Sequence, residues 1–560
     1  MKKIELNNNW KFKIANSSNG FEKYNSWMNC DVPGTVHTDL LNLGLIKDPY
    51  YEDNERRLQW VSEQDWVYKT SFDLPNNFIT DNPINLVFEG VDTIAEAWLN
   101  KKPIGNFQNM FRKYEFEVSK ILKKKNNILE IKFHSAIKYA MEQEKKYGQL
   151  HKNINSDRVY IRKAQYSFGW DWGPSFPTMG LWKPVYIEQQ SVAHIKNISF
   201  STLEIKKGKA IVEVTINLSG TEIGDMSLDI FLKKDNQSTN KSKTKLSYKN
   251  KLKFEISDPQ LWWPNCAGDQ PLYDLRVKLK DLNKRLLDKV EKKVGIRTIE
   301  LLLEENGKNT FKMLVNNKEI FIKGVNWIPT DSFLPRISEE KYTQLLSLAK
   351  EANCNMIRIW GGGIYEQDIL YELCDELGLL VWQDFMFACG SYPEHDEFIE
   401  NVKVEIKQNV ERLQHHPSIA MLCGNNECEW LWYQNREKDI SKLPGYNIYH
   451  QIIPDILKDV DPLRPYWPSS PFGYDEDPND EKSGNTHQWN IWSNWIDYTE
   501  VIKDNSLFVS EFGFQAPANK TTWMAVLSKD NRSCDNPMFE FHNKQIEGQK
   551  RIFQFLSCHL

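Results

Sequence analysis

The sequence predicts three domains: a β jelly-roll sandwich, an immunoglobulin-like β-sandwich and a (β/α)8 TIM barrel that lacks its last strand. The chain has 560 residues, more than one hydrophobic core usually organises. Short alternating strands fill its first half, and strands alternate with helical patterns after Thr298. We therefore assign residues 1–190, 191–298 and 299–560 to the three domains in that order.

Composition and charge exclude several classes of partner. The formal net charge is −5, and no basic block is large enough to suggest nucleic acid binding. The amino terminus lacks the apolar segment of a secretory signal, and no stretch approaches the ~18 apolar residues that span a membrane. The nine cysteines are odd in number and show no CxxC spacing. We expect a cytoplasmic protein with reduced thiols, no membrane contact, no metal and no cofactor.

Both sandwiches are predicted from runs in which apolar and polar residues alternate. In the first domain such runs cover residues 65–72, 84–90, 95–100 and 127–133, with turn-forming residues between them. This spacing favours an antiparallel jelly roll. The second domain has similar runs and about a hundred residues, which suits an immunoglobulin-like sandwich.

The barrel is predicted from seven short apolar runs separated by helical patterns, such as residues 339–352 and 402–413. The runs end near Trp327, Trp360, Asp384, Glu427, Ser469, Trp489 and Glu511. No eighth apolar run follows. Because an open barrel leaves a parallel edge unpaired and part of its core exposed, we expect the chain to be a fragment of a longer protein.

Two of these runs, 421–427 and 507–513, deliver a glutamate at or near a strand end, namely Glu427 and Glu511. Parallel barrel strands present reactive side chains at their carboxyl ends, so both carboxylates are expected on the same rim. Glycoside hydrolysis uses such a pair: one acid protonates the leaving oxygen, and one carboxylate attacks the sugar or activates water. Either glutamate alone is more typical of a strand-end cap or a salt-bridge partner, whereas their joint occurrence favours the catalytic interpretation.

A tryptophan-rich loop ends the first domain. Trp170, Asp171 and Trp172 stand between Gly169 and Gly173, which permit tight turns. One interpretation is a packed loop beneath the sandwich. The other is a binding loop in which Asp171 accepts hydrogen bonds from sugar hydroxyls while an indole forms the wall.

Five motifs together resemble those of the β-mannosidases of glycoside hydrolase family 2, over nearly the whole chain. They are Gly-Trp-Asp-Trp-Gly-Pro at 169–174, Arg-Ile-Trp-Gly-Gly-Gly-Ile-Tyr-Glu at 358–366, Trp-Gln-Asp-Phe-Met-Phe-Ala at 382–388, Gly-Asn-Asn-Glu at 424–427 and Ser-Glu-Phe-Gly-Phe-Gln at 510–515. The resemblance implies a retaining mechanism, with the acid/base after strand four and the nucleophile on strand seven. These roles fall on Glu427 and Glu511.

The resemblance also implies roles for residues around the two glutamates. Asn426 is expected to contact the sugar 2-hydroxyl, and Trp170 and Asp171 to reach the terminal sugar. Arg358 is interpreted either as a partner that keeps Glu511 ionised or as an ordinary ion pair of the barrel rim. Three further rim candidates are equally consistent with core packing: Trp360, His487 and Trp489.

The function expected from the resemblance is a retaining exo-β-mannosidase acting on β-mannosides or mannose-containing oligosaccharides. One alternative is another exo-glycosidase of the same family, acting on galactose, glucuronic acid or glucosamine. An alternative of a different class is a truncated, non-catalytic carbohydrate-binding protein.

Overall fold

The protein is seen in a computed structural model that describes residues 2–16, 20–76, 78, 82–152, 157–235 and 237–559. Two antiparallel sandwiches are followed by a small antiparallel sheet and a parallel-stranded barrel. The predicted fold class is confirmed. The exact boundaries at residues 190 and 298 stay predictions.

The first domain is a two-sheet sandwich. Its strands are β1 (Lys2–Glu5), β2 (Lys11–Ile14), β3 (Met28–Asn29), β4 (Trp66–Phe72), β5 (Ile84–Phe88), β6 (Ala95–Leu99), β7 (Lys102–Phe107), β8 (Tyr114–Glu117), β9 (Asn127–Phe133) and β10 (Val185–Gln189). Its helices are α1 (Val36–Asn42), α2 (Asn54–Arg57), α3 (Trp60–Glu63) and α4 (Ala136–Tyr147). The sheets have the orders β3-β2-β4-β9-β6-β7 and β1-β10-β5-β8. Inward residues of both sheets share one core, as the alternating pattern of β4 and β9 requires.

The second domain is also a two-sheet sandwich. Its strands are β11 (Ala193–Lys206), β12 (Lys209–Gly220), β13 (Ser227–Lys234), β14 (Gln237–Thr244), β15 (Lys249–Ser257), β16 (Tyr273–Lys280) and β17 (Leu286–Val294). They form the sheets β11-β12-β15 and β14-β13-β16-β17.

A small sheet that the sequence patterns did not predict precedes the barrel. It contains β18 (Ile299–Glu305), β19 (Lys308–Val315) and β20 (Lys318–Ile320). Phe311 of β19 contacts Trp382, Trp467 and Phe508 of the barrel, with ring centroids 5.1–6.1 Å apart. The sheet therefore packs apolar side chains against the barrel interior, away from the rim that carries the glutamates.

The barrel has the seven predicted parallel strands. They are β21 (Gly324–Trp327), β22 (Met356–Ile359), β23 (Leu380–Asp384), β24 (Ile419–Cys423), β25 (Tyr466–Trp467), β26 (Thr486–Gln488) and β27 (Val509–Phe512). The helices are α5 (Glu339–Glu351), α6 (Asp368–Leu377), α7 (Asp396–Leu413), α8 (Cys428–Asn435), α9 (Ile453–Val460), α10 (Asn490–Ser493), α11 (Lys520–Val526), α12 (Pro537–Asn543) and α13 (Gly548–His559). Strands β21 to β25 form one parallel sheet in chain order, and β26 and β27 form a parallel pair. None of the helices in the described ranges is long and apolar enough to cross a membrane.

The barrel is open between β21 and β27. Several apolar side chains on this side face solvent: Phe321 is 82% exposed, Phe512 69%, Phe514 46% and Val325 45%. Within the described part of the chain the two strands share no backbone ladder. One side-chain bond joins them, from Nδ2 of Asn326 to the carbonyl oxygen of Ser510 at 3.1 Å.

The first domain packs on the barrel through a buried ion pair. The Arg162 guanidinium donates to both carboxylate oxygens of Glu405 on α7, at 2.8 and 2.6 Å. Asn109 and Tyr365 donate to the same carboxylate, so the buried charge of Glu405 is paired and each of its oxygens accepts two hydrogen bonds. This contact joins the first domain to helix α7 of the barrel.

Candidate active site

Glu427 is placed by the loop that follows β24. Its backbone lies in the left-handed region, with φ of 59°, and its N–H donates to the carbonyl oxygen of Ser470 at 2.8 Å. Gly424 permits this close approach, because a Cβ there would lie 2.1 Å from the carbonyl oxygen of Pro468. Helix α8 starts immediately after Glu427, so the carboxylate is held at the junction of strand and helix.

Glu511 lies within β27, and side chains from β22 and from the segment after β26 hold its carboxylate. Arg358 on β22 donates to Oε1 at 2.5 Å, and the Trp489 indole N–H donates to Oε2 at 3.0 Å. Burial alone raises the pKa of Glu511, but the charges of His487 and Arg358 outweigh it and hold the pKa below its ordinary value. The carboxylate is thus kept ionised, as a nucleophile requires.

The two glutamates converge across His487. Nδ1 of His487 lies 2.7 Å from Oε1 of Glu427 and 3.3 Å from Oε2 of Glu511. One carboxylate oxygen of Glu427, one of Glu511 and one ring nitrogen of His487 all lie within 4.8 Å of one another. This spacing is close to the ~5 to 5.5 Å of retaining glycosidases and well below the ~6.5 to 9.5 Å of inverting ones.

Arg358 connects Glu511 to the neighbouring strand ends. Besides Glu511, it donates to Oδ2 of Asp384 at 2.7 Å and to Oδ1 of Asn426 at 2.8 Å. The guanidinium is buried and binds two carboxylates. It is therefore both an ion pair of the rim and the partner of Glu511, so the two interpretations of Arg358 do not exclude each other.

The tryptophan-rich loop of the first domain reaches the barrel rim. The Trp360 ring meets the rings of Trp170 and Trp172 edge to face, with centroids 4.8 and 5.6 Å away. The backbone N–H of Tyr166 donates to the carbonyl oxygen of Gly362 at 2.9 Å, which fixes the loop to the segment after β22. These rings form an aromatic wall beside the glutamates.

Asp171 stands between the two tryptophans in the sequence, and the residue is exposed to solvent. Desolvation by the surrounding protein raises the pKa of Asp171 to about 6, and the negative charges of Glu427 and Glu511 add to this effect. The Asp171 carboxylate therefore lies within electrostatic range of both glutamates.

All nine site residues predicted from the sequence cluster at this rim: Glu427, Glu511, Asn426, Arg358, Trp360, His487, Trp489, Trp170 and Asp171. Their individual roles stay predictions. The patterns missed Asp384, Cys389 and Ser470, which contact Arg358, Glu427 and His487 respectively. Asp384 carried a usable signal, since it is a carboxylate at the end of a buried strand. Cys389 and Ser470 carried none.

Three family models match successive parts of the chain. Residues 10–183 match "Glycosyl hydrolase 2 galactose-binding domain-like", residues 193–297 match "Glycosyl hydrolases family 2" and residues 308–470 match "Glycosyl hydrolases family 2, TIM barrel domain". A β-D-mannosidase of known structure from Dictyoglomus thermophilum is 41% identical, with a TM-score of 0.94, and the match covers 100% of this chain and 69% of that one. The chain belongs to glycoside hydrolase family 2.

Curated relatives are similar along the same length. Beta-mannosidase B of Thermothelomyces thermophilus is 37% identical over 99% of this chain, and beta-mannosidase of Capra hircus is 34% identical over 99%. The chain spans 66% of the length of each of these two relatives.

Proposed function

We propose that the protein is a retaining exo-β-mannosidase that removes terminal β-mannose from β-mannosides or mannose-containing oligosaccharides. The observation that carries the proposal is the convergence of Glu427 and Glu511 on one rim, with one carboxylate oxygen of each within 4.8 Å of the other. The relatives named β-mannosidase support mannose as the sugar.

In the first step Glu511 attacks the anomeric carbon while Glu427 donates a proton to the departing oxygen. Arg358 and Trp489 orient the attacking carboxylate through their hydrogen bonds. The C–O bond to the leaving group breaks as the bond to Glu511 forms, which gives a covalent glycosyl-enzyme.

In the second step water attacks the same carbon from the face that the leaving group vacated. Glu427, now a carboxylate, accepts a proton from this water, and the bond to Glu511 breaks. Two inversions give net retention of the β configuration. The acid is thereby reprotonated for the next cycle.

The exo mode follows from the loop of the first domain. Trp170 and Trp172 pack against Trp360, and Asp171 stands between them beside the glutamates. We expect this wall to admit only one terminal sugar, with Asp171 accepting hydrogen bonds from its hydroxyls. Arg358 donates to Asn426, and we propose that Asn426 contacts the 2-hydroxyl, whose orientation distinguishes mannose from glucose.

The proposal is tested with p-nitrophenyl β-glycosides of mannose, galactose, glucose, glucuronic acid and glucosamine. We expect the highest kcat/KM for mannose. A higher value for another sugar would assign the chain to another specificity of the family, whereas binding of mannosides without turnover would favour the carbohydrate-binding alternative.

Two variants separate the roles of the glutamates. Glu511→Ala and Glu427→Ala should each lose most activity, by about 10⁴-fold for a nucleophile or acid. Azide should rescue Glu511→Ala and yield the α-mannosyl azide, because it then attacks the substrate directly. With Glu427→Ala it should yield the β-mannosyl azide from the glycosyl-enzyme.

We further propose a cytoplasmic location, because all nine cysteines are free thiols and five of them are buried. Cell fractionation with an antibody against the protein tests this.

We also propose that the domains span residues 1–190, 191–298 and 299–560. Mapping the sites of limited proteolysis checks these boundaries.

A further inference from the structure

A chain of hydrogen-bonded side chains, buried except for the half-buried Ser510, runs from His487 away from the glutamates. Nε2 of His487 lies 2.9 Å from Oγ of Ser470, which lies 3.0 Å from Oγ of Ser510. Ser510 in turn donates to the carbonyl oxygen of Thr486 at 3.1 Å. Asn485 donates from Nδ2 to both serine oxygens, at 2.8 and 2.6 Å. The chain joins the segment after β25, the start of β26 and the interior of β27.

The orientation of Asn485 is fixed by its oxygen. Its Oδ1 accepts from the Trp467 indole N–H at 2.9 Å and from the Phe472 backbone N–H at 3.2 Å, and both of these groups only donate. The NH2 group must therefore face the two serines. Each serine oxygen receives one hydrogen from Asn485 and has one hydrogen of its own.

One arrangement of these hydrogens satisfies every contact. The Thr486 atom in this contact is the backbone carbonyl oxygen, which can only accept, so the Ser510 hydroxyl donates to it. The Ser470 hydroxyl then donates to Ser510, and Nε2 of His487 must carry a hydrogen to donate to Ser470. If Ser470 donated to His487 instead, either the contact between the serines or the bond from Ser510 to Thr486 would be lost.

With its hydrogen on Nε2, a neutral imidazole presents a lone pair at Nδ1. That lone pair would face Oε1 of Glu427 at 2.7 Å, and two acceptors at this distance repel each other. A proton between them removes the conflict, whether it is bound to oxygen or to nitrogen.

We propose that His487 and Glu427 share one proton, and that the Ser470–Ser510–Thr486 chain maintains this state by keeping Nε2 of His487 protonated. His487 is then a positioning residue that stores the acid's proton. Its part in turnover rests on the proposed glycosidase function. The shared proton leaves with the departing oxygen in the first step, and the attacking water returns one in the second.

Other titratable groups face this pair. Glu511 approaches Nδ1 from β27, Asp171 approaches from the first domain, and Arg358 neutralises Glu511 from β22. The Cys389 thiol lies 3.3 Å from Oε2 of Glu427, and burial, reinforced by Glu427, raises its pKa, so it remains a neutral donor. Glu511 and Asp171 contribute two negative charges and Arg358 one positive charge. This net negative charge favours retention of the proton shared by His487 and Glu427.

Ser470→Ala tests the inference, with Ser469→Ala as its matched control. Both serines are fully buried and adjacent, but the Ser469 hydroxyl donates to Asn425 and not to His487. Without Ser470, Nδ1 can carry the hydrogen and donate to both carboxylates with no extra proton. We expect the alkaline limb of the kcat/KM profile for an alkyl β-mannoside to move down by roughly one pH unit, a tenfold loss at fixed alkaline pH.

A substrate whose leaving group needs no protonation by Glu427 makes the test specific to the acid step. With 2,4-dinitrophenyl β-mannoside, whose leaving group departs unprotonated, Ser470→Ala should lose far less activity than with the alkyl mannoside. Ser469→Ala should keep the wild-type alkaline limb with both. Equal shifts in the two serine variants would overturn the inference.

A second readout does not depend on turnover. Nitrogen-15 NMR of histidine-labelled protein, with the His487 signals assigned by their loss in His487→Asn, should show Nε2 protonated in the wild type and Nδ1 protonated in Ser470→Ala. A neutral wild-type ring protonated only at Nδ1 would overturn the inference. A wild type that hydrolyses no mannoside, but has Nε2 protonated beside Glu427, would support it and refute the proposed function.

Discussion

The two sides of the barrel place their glutamates by different means. On the closed side, β22, β23 and β24 are buried along their whole length, and the backbone of the loop after β24 positions Glu427. On the open side, most of β21 faces solvent and β27 pairs only with β26 among the described residues. There, hydrogen bonds from other strands fix the carboxylate of Glu511. A carboxylate positioned by its own backbone needs a complete sheet around it, whereas a carboxylate positioned by hydrogen bonds from other side chains does not.

Arg358 links the two sides. Arg358 belongs to β22 on the closed side, where its guanidinium donates to Asp384 and Asn426. The same guanidinium also donates to Glu511 on the open side. The geometry of the nucleophile therefore depends on a buried charge as much as on its own strand. The predictions below separate the orientation of Glu511 from the stability of each side.

The largest effect is expected from Arg358→Met. The variant removes the donor that orients Glu511 and leaves two carboxylates without their cation, so kcat should fall by roughly 10³-fold. Breaking a buried pair should also lower the free energy of unfolding by about 3–5 kcal/mol. Steady-state kinetics and urea unfolding measure the two effects.

Arg162→Met is the matched control for Arg358. It breaks the buried pair with Glu405, so we expect a similar loss of unfolding free energy with kcat per folded molecule little changed. If both variants lowered kcat alike, the loss in Arg358→Met would reflect general destabilisation and not the orientation of Glu511.

The next effect compares two residues that face each other in one ladder. Val325 on β21 pairs in register with Ile357 on β22, yet Val325 is 45% exposed and Ile357 is fully buried. Ile357→Ala should lower the free energy of unfolding by about 2–5 kcal/mol, and Val325→Ala by no more than about 0.5 kcal/mol. Urea unfolding measures the free energy of unfolding of both variants. Equal losses in the two variants would show that the open side is covered in solution.

A smaller, pH-dependent effect is expected at the mouth of the site. Because the pKa of Asp171 is raised to about 6, ionisation of its carboxyl opposes folding. This cost is absent below the ordinary pKa of 3.8 and grows as pH rises to about 6, above which it is complete. Asp171→Asn should therefore melt at a higher temperature than wild type above pH 6 and at a similar temperature near pH 3.8. A gain that is independent of pH would contradict this.

The sequence predicts the ends of the barrel strands better than it predicts the side-chain contacts between the strands. Short apolar runs with turn residues located Glu427 and Glu511, because the carboxyl end of a parallel strand is a local feature. The hydrogen-bonded chain beyond His487 was not predictable, since Ser470 follows β25, Asn485 precedes β26 and Ser510 lies in β27, and the three meet only in three dimensions. The sequence does not predict the small sheet from Ile299 to Ile320, because the change of pattern after Thr298 favours a barrel that starts there.

The central claim is that Glu511 forms the covalent bond to the sugar while Glu427 transfers protons. Incubation with 2-deoxy-2-fluoro-β-mannosyl fluoride, which slows the second step, followed by proteolysis and peptide mass spectrometry, tests this most directly. We predict one fluoromannosyl group per molecule, on the peptide that contains Glu511, and none in Glu511→Ala. A label on Glu427 or any other residue, or turnover of β-mannosides with inversion, would contradict the account.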